Sequence, residues 1–219
     1  MSEASGTPLK LYWWSVLVGV LIAIAYIGNS VAATGSDTAL YHYSTAVGAA
    51  VEYAVLLGLA LLIARRRSDL LALRRPPSWL TALGLALLVF VVAYVAIFAM
   101  DSVLHGGREQ GLVPKRWEPK HESAYAANWV VVAAVAPFVE ELIYRGLGYS
   151  LIVERFGKWI AIVAVGLLFA ASHGLVQAFP ELATLGCGLA WLRSKTESIL
   201  PGMLVHAAFN SVALAVVFF

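Results

Sequence analysis

Residues 79–100 run for 22 positions without a charged side chain, and that run decides most of what the chain can become. At ~1.5 Å of rise per residue, a helix of this length covers the ~30 Å hydrocarbon core of a bilayer. In lipid the backbone N–H and C=O groups must bond one another, which leaves helices or closed barrels. The run lacks the ~10-residue alternation of a barrel strand, so it reads as a membrane helix. Further apolar segments lie at 11–33, 45–64, 125–147, 159–175, 179–192 and 199–219. Segment 179–192 has 14 residues, short for a span, and is expected to be tilted, interfacial or re-entrant. The expected fold class is an all-α, polytopic helical membrane protein of about seven transmembrane segments. Residues 1–219 are expected to form a single integral-membrane domain with a motif-bearing core at 125–219.

Charge sets the orientation. Charged residues are 13% of the chain and the net charge is +2, which suggests no nucleic-acid partner. Short loops rich in Lys and Arg stay in the cytoplasm. Arg65, Arg66, Arg67, Arg74 and Arg75 fall between the second and third segments. Arg155 with Lys158, and Arg193 with Lys195, mark two more inside links, and the N-terminus comes out inside. The first outside loop then holds Asp37 and His42. The long loop from Asp101 to Ala124 also falls outside, its Arg108, Lys115, Arg116 and Lys120 matched by Asp101, Glu109, Glu118 and Glu122. Trp13, Trp14, Trp79, Trp129 and Trp159 sit near segment ends and read as interfacial anchors. The single Cys187 excludes an intrachain disulfide and a Cys-based zinc cluster.

Within the fourth segment stand two adjacent acids, Glu140 and Glu141. A carboxylate near mid-bilayer costs roughly 2.5–3.5 kcal/mol even on lenient insertion scales, so packing alone does not account for two. On a helix they point about 100° apart. Glu141 has Arg145 at i+4, the favourable order for an ion pair. Glu140 is left to face a cavity, where a desolvated carboxylate suits a general base for water. His206 and Asn210 share a helix face and both can donate to a developing oxyanion. His173 can order that water or relay its proton. A carboxylate, two imidazoles and an amide are sufficient parts for amide hydrolysis. Glu52, in the second segment, fits no motif and is read as a packing or cavity group.

Glu-Glu-x-x-x-Arg at 140–145, Phe-x-x-x-His at 169–173 and His-x-x-x-Asn at 206–210 follow one another on successive segments. This ordered trio resembles the CAAX-protease and bacteriocin-processing (Abi) membrane peptidases, relatives of the type II CAAX prenyl endopeptidase. The resemblance spans Ala136 to Ser211. It implies an all-helical intramembrane peptidase in which Glu140 activates water with His173, while His206 and Asn210 form an oxyanion hole. The implied partners are a membrane-associated protein or peptide substrate and the lipid bilayer, and the expected location is a bacterial cytoplasmic membrane. No cofactor is expected. The metal alternative is zinc held by Glu140, His173 and His206. Substrate choice in the family ranges over prenylated C-termini, bacteriocin leaders and sorting signals. Two other readings stay open: a non-enzymatic immunity or scaffold protein of the same fold, and a proton-coupled transporter built on the same buried acids and histidines.

Straight helices create a difficulty. Counted from the loops, Glu140 and His206 come out nearer the cytoplasmic side than His173. Tilt, a break near Gly146–Gly148 or a lower start of the fifth helix would bring them together.

Overall fold

The computed structural model describes residues 7–31, 38–104 and 113–219; Asp37, Arg108 and Glu109 lie outside them. Among the described residues there are seven helical segments and no strand. They are α1 (Thr7–Val31), α2 (Tyr43–Ala64), α3 (Trp79–Leu104), α4 (122–156), α5 (Lys158–Ala171), α6 (Phe179–Thr196) and α7 (Leu200–Ala215). The chain is an all-α polytopic membrane protein. Helices α1 to α4, and α7 with its 3₁₀ extension, are long and apolar enough to cross a membrane. Outward-facing side chains such as Leu80 and Phe98, both 86% exposed, present apolar surface to lipid.

The two remaining helices form a hairpin in which α6 is largely buried, while α5 exposes Trp159, Ile160, Val163 and Leu167. α5 has 14 residues, about 21 Å of helix. α6 has 18 residues and runs past Leu192 through Arg193 and Lys195, where hydropathy alone stops. The two pack closely because their contact is glycine on glycine: a Cβ on Gly186 would lie 2.7 Å from the Gly166 carbonyl oxygen. α6 also lies against α3.

α4 is one continuous helix interrupted by two π-helical turns, Val131–Val135 and Leu142–Gly148. A π turn shifts the hydrogen-bond ladder and releases carbonyls that must find other donors. Side chains from distant helices supply them. Asn210 Nδ2 donates to Val132 O at 2.8 Å, and Trp14 Nε1 donates to Ile143 O at 2.8 Å. Trp14 is therefore a buried core residue, 2% exposed, and not the interfacial anchor its position suggested. Glu140 and Glu141 sit on the short α-helical stretch Ala136–Glu141 between the π turns. The π turns change the azimuth of α4 without breaking it, and through them the carboxylates meet α7.

Helix ends sort by charge. Lys10, the arginines of 65–75, Arg155, Lys158, Arg193 and Lys195 gather at one end, so this end holds 10 of the chain's 15 Lys and Arg. Contacts tie it together: Lys10 Nζ donates to Arg65 O at 2.8 Å, Arg67 Nη2 meets Glu154 Oε1 at 2.8 Å, and Arg74 Nε donates to Glu197 O at 2.8 Å. Asp69, Glu154 and Glu197 are the acids there. Hydrogen bonds from Arg67 hold the Asp69 carboxyl below the usual carboxylate range.

Candidate active site

The buried centre starts from Arg145. Its Nη1 bonds Glu141 Oε1 at 2.9 Å, and its Nη2 bonds the Gly186 carbonyl at 2.9 Å. Its guanidinium lies 4.3 Å over the Phe169 ring. Both Arg145 and Glu141 are fully buried. An ion pair at this depth forms only with good geometry and further hydrogen bonds. The glycine contact between α5 and α6 provides one of these, since Gly186 offers both its carbonyl and the room for Arg145.

Glu141 Oε1 is shared. His206 Nδ1 stands 3.3 Å from it. On the other side of the same ring, His206 Nε2 stands 3.6 Å from Glu140 Oε2. Glu140 Oε1 accepts a hydrogen bond of 2.7 Å from the Tyr53 hydroxyl on α2. The result is a continuous chain, Arg145–Glu141–His206–Glu140–Tyr53, crossing three helices. Glu140 keeps 17% of its side chain exposed, while His206 is buried.

Hydrogen-bond partners fix the tautomers. His173 Nδ1 lies 2.8 Å from Phe169 O, and a carbonyl can only accept, so Nδ1 carries the hydrogen and Nε2 the lone pair. His206 Nδ1 faces a carboxylate oxygen already bonded to Arg145, so its hydrogen also sits on Nδ1. Phe169 stands between the two imidazoles, its ring centroid 4.7 Å from that of His173 and 5.4 Å from that of His206. α5 is short, and His173 lies in the turn just beyond its end, so the ring reaches the level of α7 that straight helices would have denied it.

Asn210 shares the His206 helix face but spends one amide hydrogen on Val132 O; the second remains. Tyr53 belongs to no motif. Its neighbour Glu52, read as a packing or cavity group, is exposed on the outer face of α2. One residue is about 100° on a helix, and that rotation turns Tyr53 inward and Glu52 outward. Gly202, also outside the motifs, makes room for Glu141: a Cβ there would lie 2.8 Å from Oε2. That oxygen is buried without a hydrogen-bond partner.

Among the described residues no three His, Cys, Asp or Glu side chains come together as metal ligands.

Residues 122–212 match the family model described as Type II CAAX prenyl endopeptidase Rce1-like. All three motifs fall inside that stretch, while Tyr53 lies outside it. Comparison with curated proteins and with solved structures finds no match.

Proposed function

We propose that the chain, whose residues 122–212 match the Type II CAAX prenyl endopeptidase Rce1-like family model, is a glutamate-dependent intramembrane endopeptidase. Its substrate is a membrane-associated protein or peptide, and no metal takes part. The carrying observation is the 3.6 Å approach of Glu140 Oε2 to His206 Nε2, from α4 and α7, with Glu141 on the far side of the imidazole and Tyr53 on the far side of the carboxylate.

Glu140 is the general base. Its Oε2 takes a proton from water while the oxygen adds to the peptide carbonyl carbon. His173 Nε2, the ring nitrogen that does not face Phe169 O, accepts the water's other hydrogen and orients it. Negative charge then gathers on the carbonyl oxygen. His206 Nε2 and the second amide hydrogen of Asn210 donate to that oxygen. Donation from Nε2 requires hydrogens on both ring nitrogens, and each nitrogen faces a carboxylate oxygen, Nδ1 that of Glu141 at 3.3 Å and Nε2 that of Glu140 at 3.6 Å. As the C–N bond breaks, the Glu140 proton passes to the departing amine, which leaves an acid and an amine. Tyr53 holds Oε1 and so keeps Oε2 aimed at the water. By the positive-inside rule the basic end faces the cytoplasm, with the N-terminus inside.

The test is Glu140→Gln, whose amide keeps the size but cannot take the proton. Protein termini in membranes carrying the wild type or the variant are compared, with detergent melting of both. A general base contributes roughly 10²–10⁴-fold, so new termini are expected with the wild type alone and melting is expected to match. Equal cleavage by both removes Glu140 as base.

A further inference from the structure

Away from the catalytic centre, at the basic end, α6 buries a second arginine. Arg193 is 8% exposed. Unlike Arg145 it faces no carboxylate at ion-pair distance among the described residues. Its Nε is sealed from solvent with no hydrogen-bond partner. Nη1 and Nη2 reach the surface, and no described residue bonds them. The Tyr149 ring lies 5.3 Å from the guanidinium carbon. Glu197, whose charge favours the Arg193 cation, is itself engaged by Arg74 through Nη2 at 3.6 Å and through its own carbonyl. Arg74 repels Arg193 as a like charge.

A ring face attracts a cation but satisfies none of the five guanidinium donors. Burying a charge without a close counter-ion is unfavourable. Two arginines and one shared carboxylate leave an excess of positive charge, with an unfilled planar fork at its centre. Phosphate oxygens match that fork in bidentate geometry. The fork lies at the end where the chain gathers its basic residues.

We propose that Arg193, seated on Tyr149 and flanked by Arg74, is the floor of a phosphate-binding site that takes the phosphate of an anionic phospholipid headgroup. The bound headgroup supplies the missing counter-charge and ties the 65–78 loop to the end of α6.

The test uses the full chain, stripped of lipid in a neutral detergent. Melting is followed during titration with phosphatidylglycerol, and separately with inorganic phosphate. Phosphatidylglycerol is expected to raise the melting temperature saturably. Arg193→Met is expected to weaken the apparent affinity roughly 10- to 100-fold, the worth of a hydrogen bond to a charged group. Arg155→Gln, an exposed charge at the same end, is expected to leave it unchanged. Stabilisation by phosphatidylglycerol alone assigns the phosphate to a lipid, and equal stabilisation by inorganic phosphate assigns it to the free ion; both support the site. If Arg193→Met does not fold, Arg193→Lys keeps the charge and loses the fork, and is expected to weaken binding in the same sense. A wild type that responds to neither probe, or a variant that responds as the wild type does, overturns the proposal.

Discussion

His206 Nδ1 stands 3.3 Å from Glu141 Oε1, the oxygen that also takes Arg145 Nη1 at 2.9 Å. The acid thus serves two masters, an arginine on its own helix and an imidazole on α7. Its charge is balanced by the first and spent on orienting the second. The arrangement separates the adjacent glutamates: Glu141 is enclosed, while Glu140 keeps 17% of its side chain exposed.

Glu141→Gln and Arg145→Met are each expected to destabilise the protein more than the two together. Removing one side of a buried pair strands the other charge, at roughly 3–5 kcal/mol. A double-mutant cycle on detergent unfolding measures the coupling. Additive losses would mean that the pair holds nothing.

Gly202→Ala tests the space beside Glu141. Its Cβ would meet Oε2 at 2.8 Å, closer than real Cβ contacts, and Glu141 must shift and take His206 with it. A displacement of ~1 Å in a catalytic group costs on the order of 10²-fold in rate. Helix propensity alone would make alanine the better residue by roughly 1 kcal/mol. A variant that melts higher and cleaves at the wild-type rate would show that Gly202 does not set this geometry.

Much of this centre was legible from spacing, because its pairs are local. Glu141 and Arg145 are one turn apart, and so are Phe169 and His173. What escaped the sequence is what depends on register between distant helices. Tyr53 meets Glu140 across 87 residues, and nothing near Tyr53 marks it off from the other aromatics. The π turns escaped for another reason. Their stabilising donors, Trp14 and Asn210, lie far along the chain from the carbonyls they satisfy. Trp14 looked like an interface residue because tryptophan near a segment end usually is one. α6 looked too short because hydropathy stops at Arg193, a residue the fold buries.

Tyr53→Phe keeps the ring and removes the hydroxyl that donates to Glu140 Oε1 at 2.7 Å. A hydrogen bond to a charged group is worth roughly 1.5–3 kcal/mol. The expected result is a fall in kcat of roughly 10- to 100-fold with KM nearly unchanged, because the base loses its aim and the substrate loses no contact. A change confined to KM would move Tyr53 from positioning the base to binding the substrate.

Cleavage is expected to survive prolonged chelation. A zinc site needs three protein ligands with their other atoms held by partners. Glu140 is the carboxylate nearest the reacting space; as a ligand it would leave only Glu141 as base, and Glu141 is enclosed between Arg145 and His206. Glu140 as base needs no such substitution, since Tyr53 holds one oxygen and the other faces His206. Elemental analysis of the active purified protein, with activity before and after chelation, decides between the two. One zinc ion per chain, with activity lost on its removal and regained on its return, would make Glu140, His173 and His206 ligands and end the glutamate mechanism.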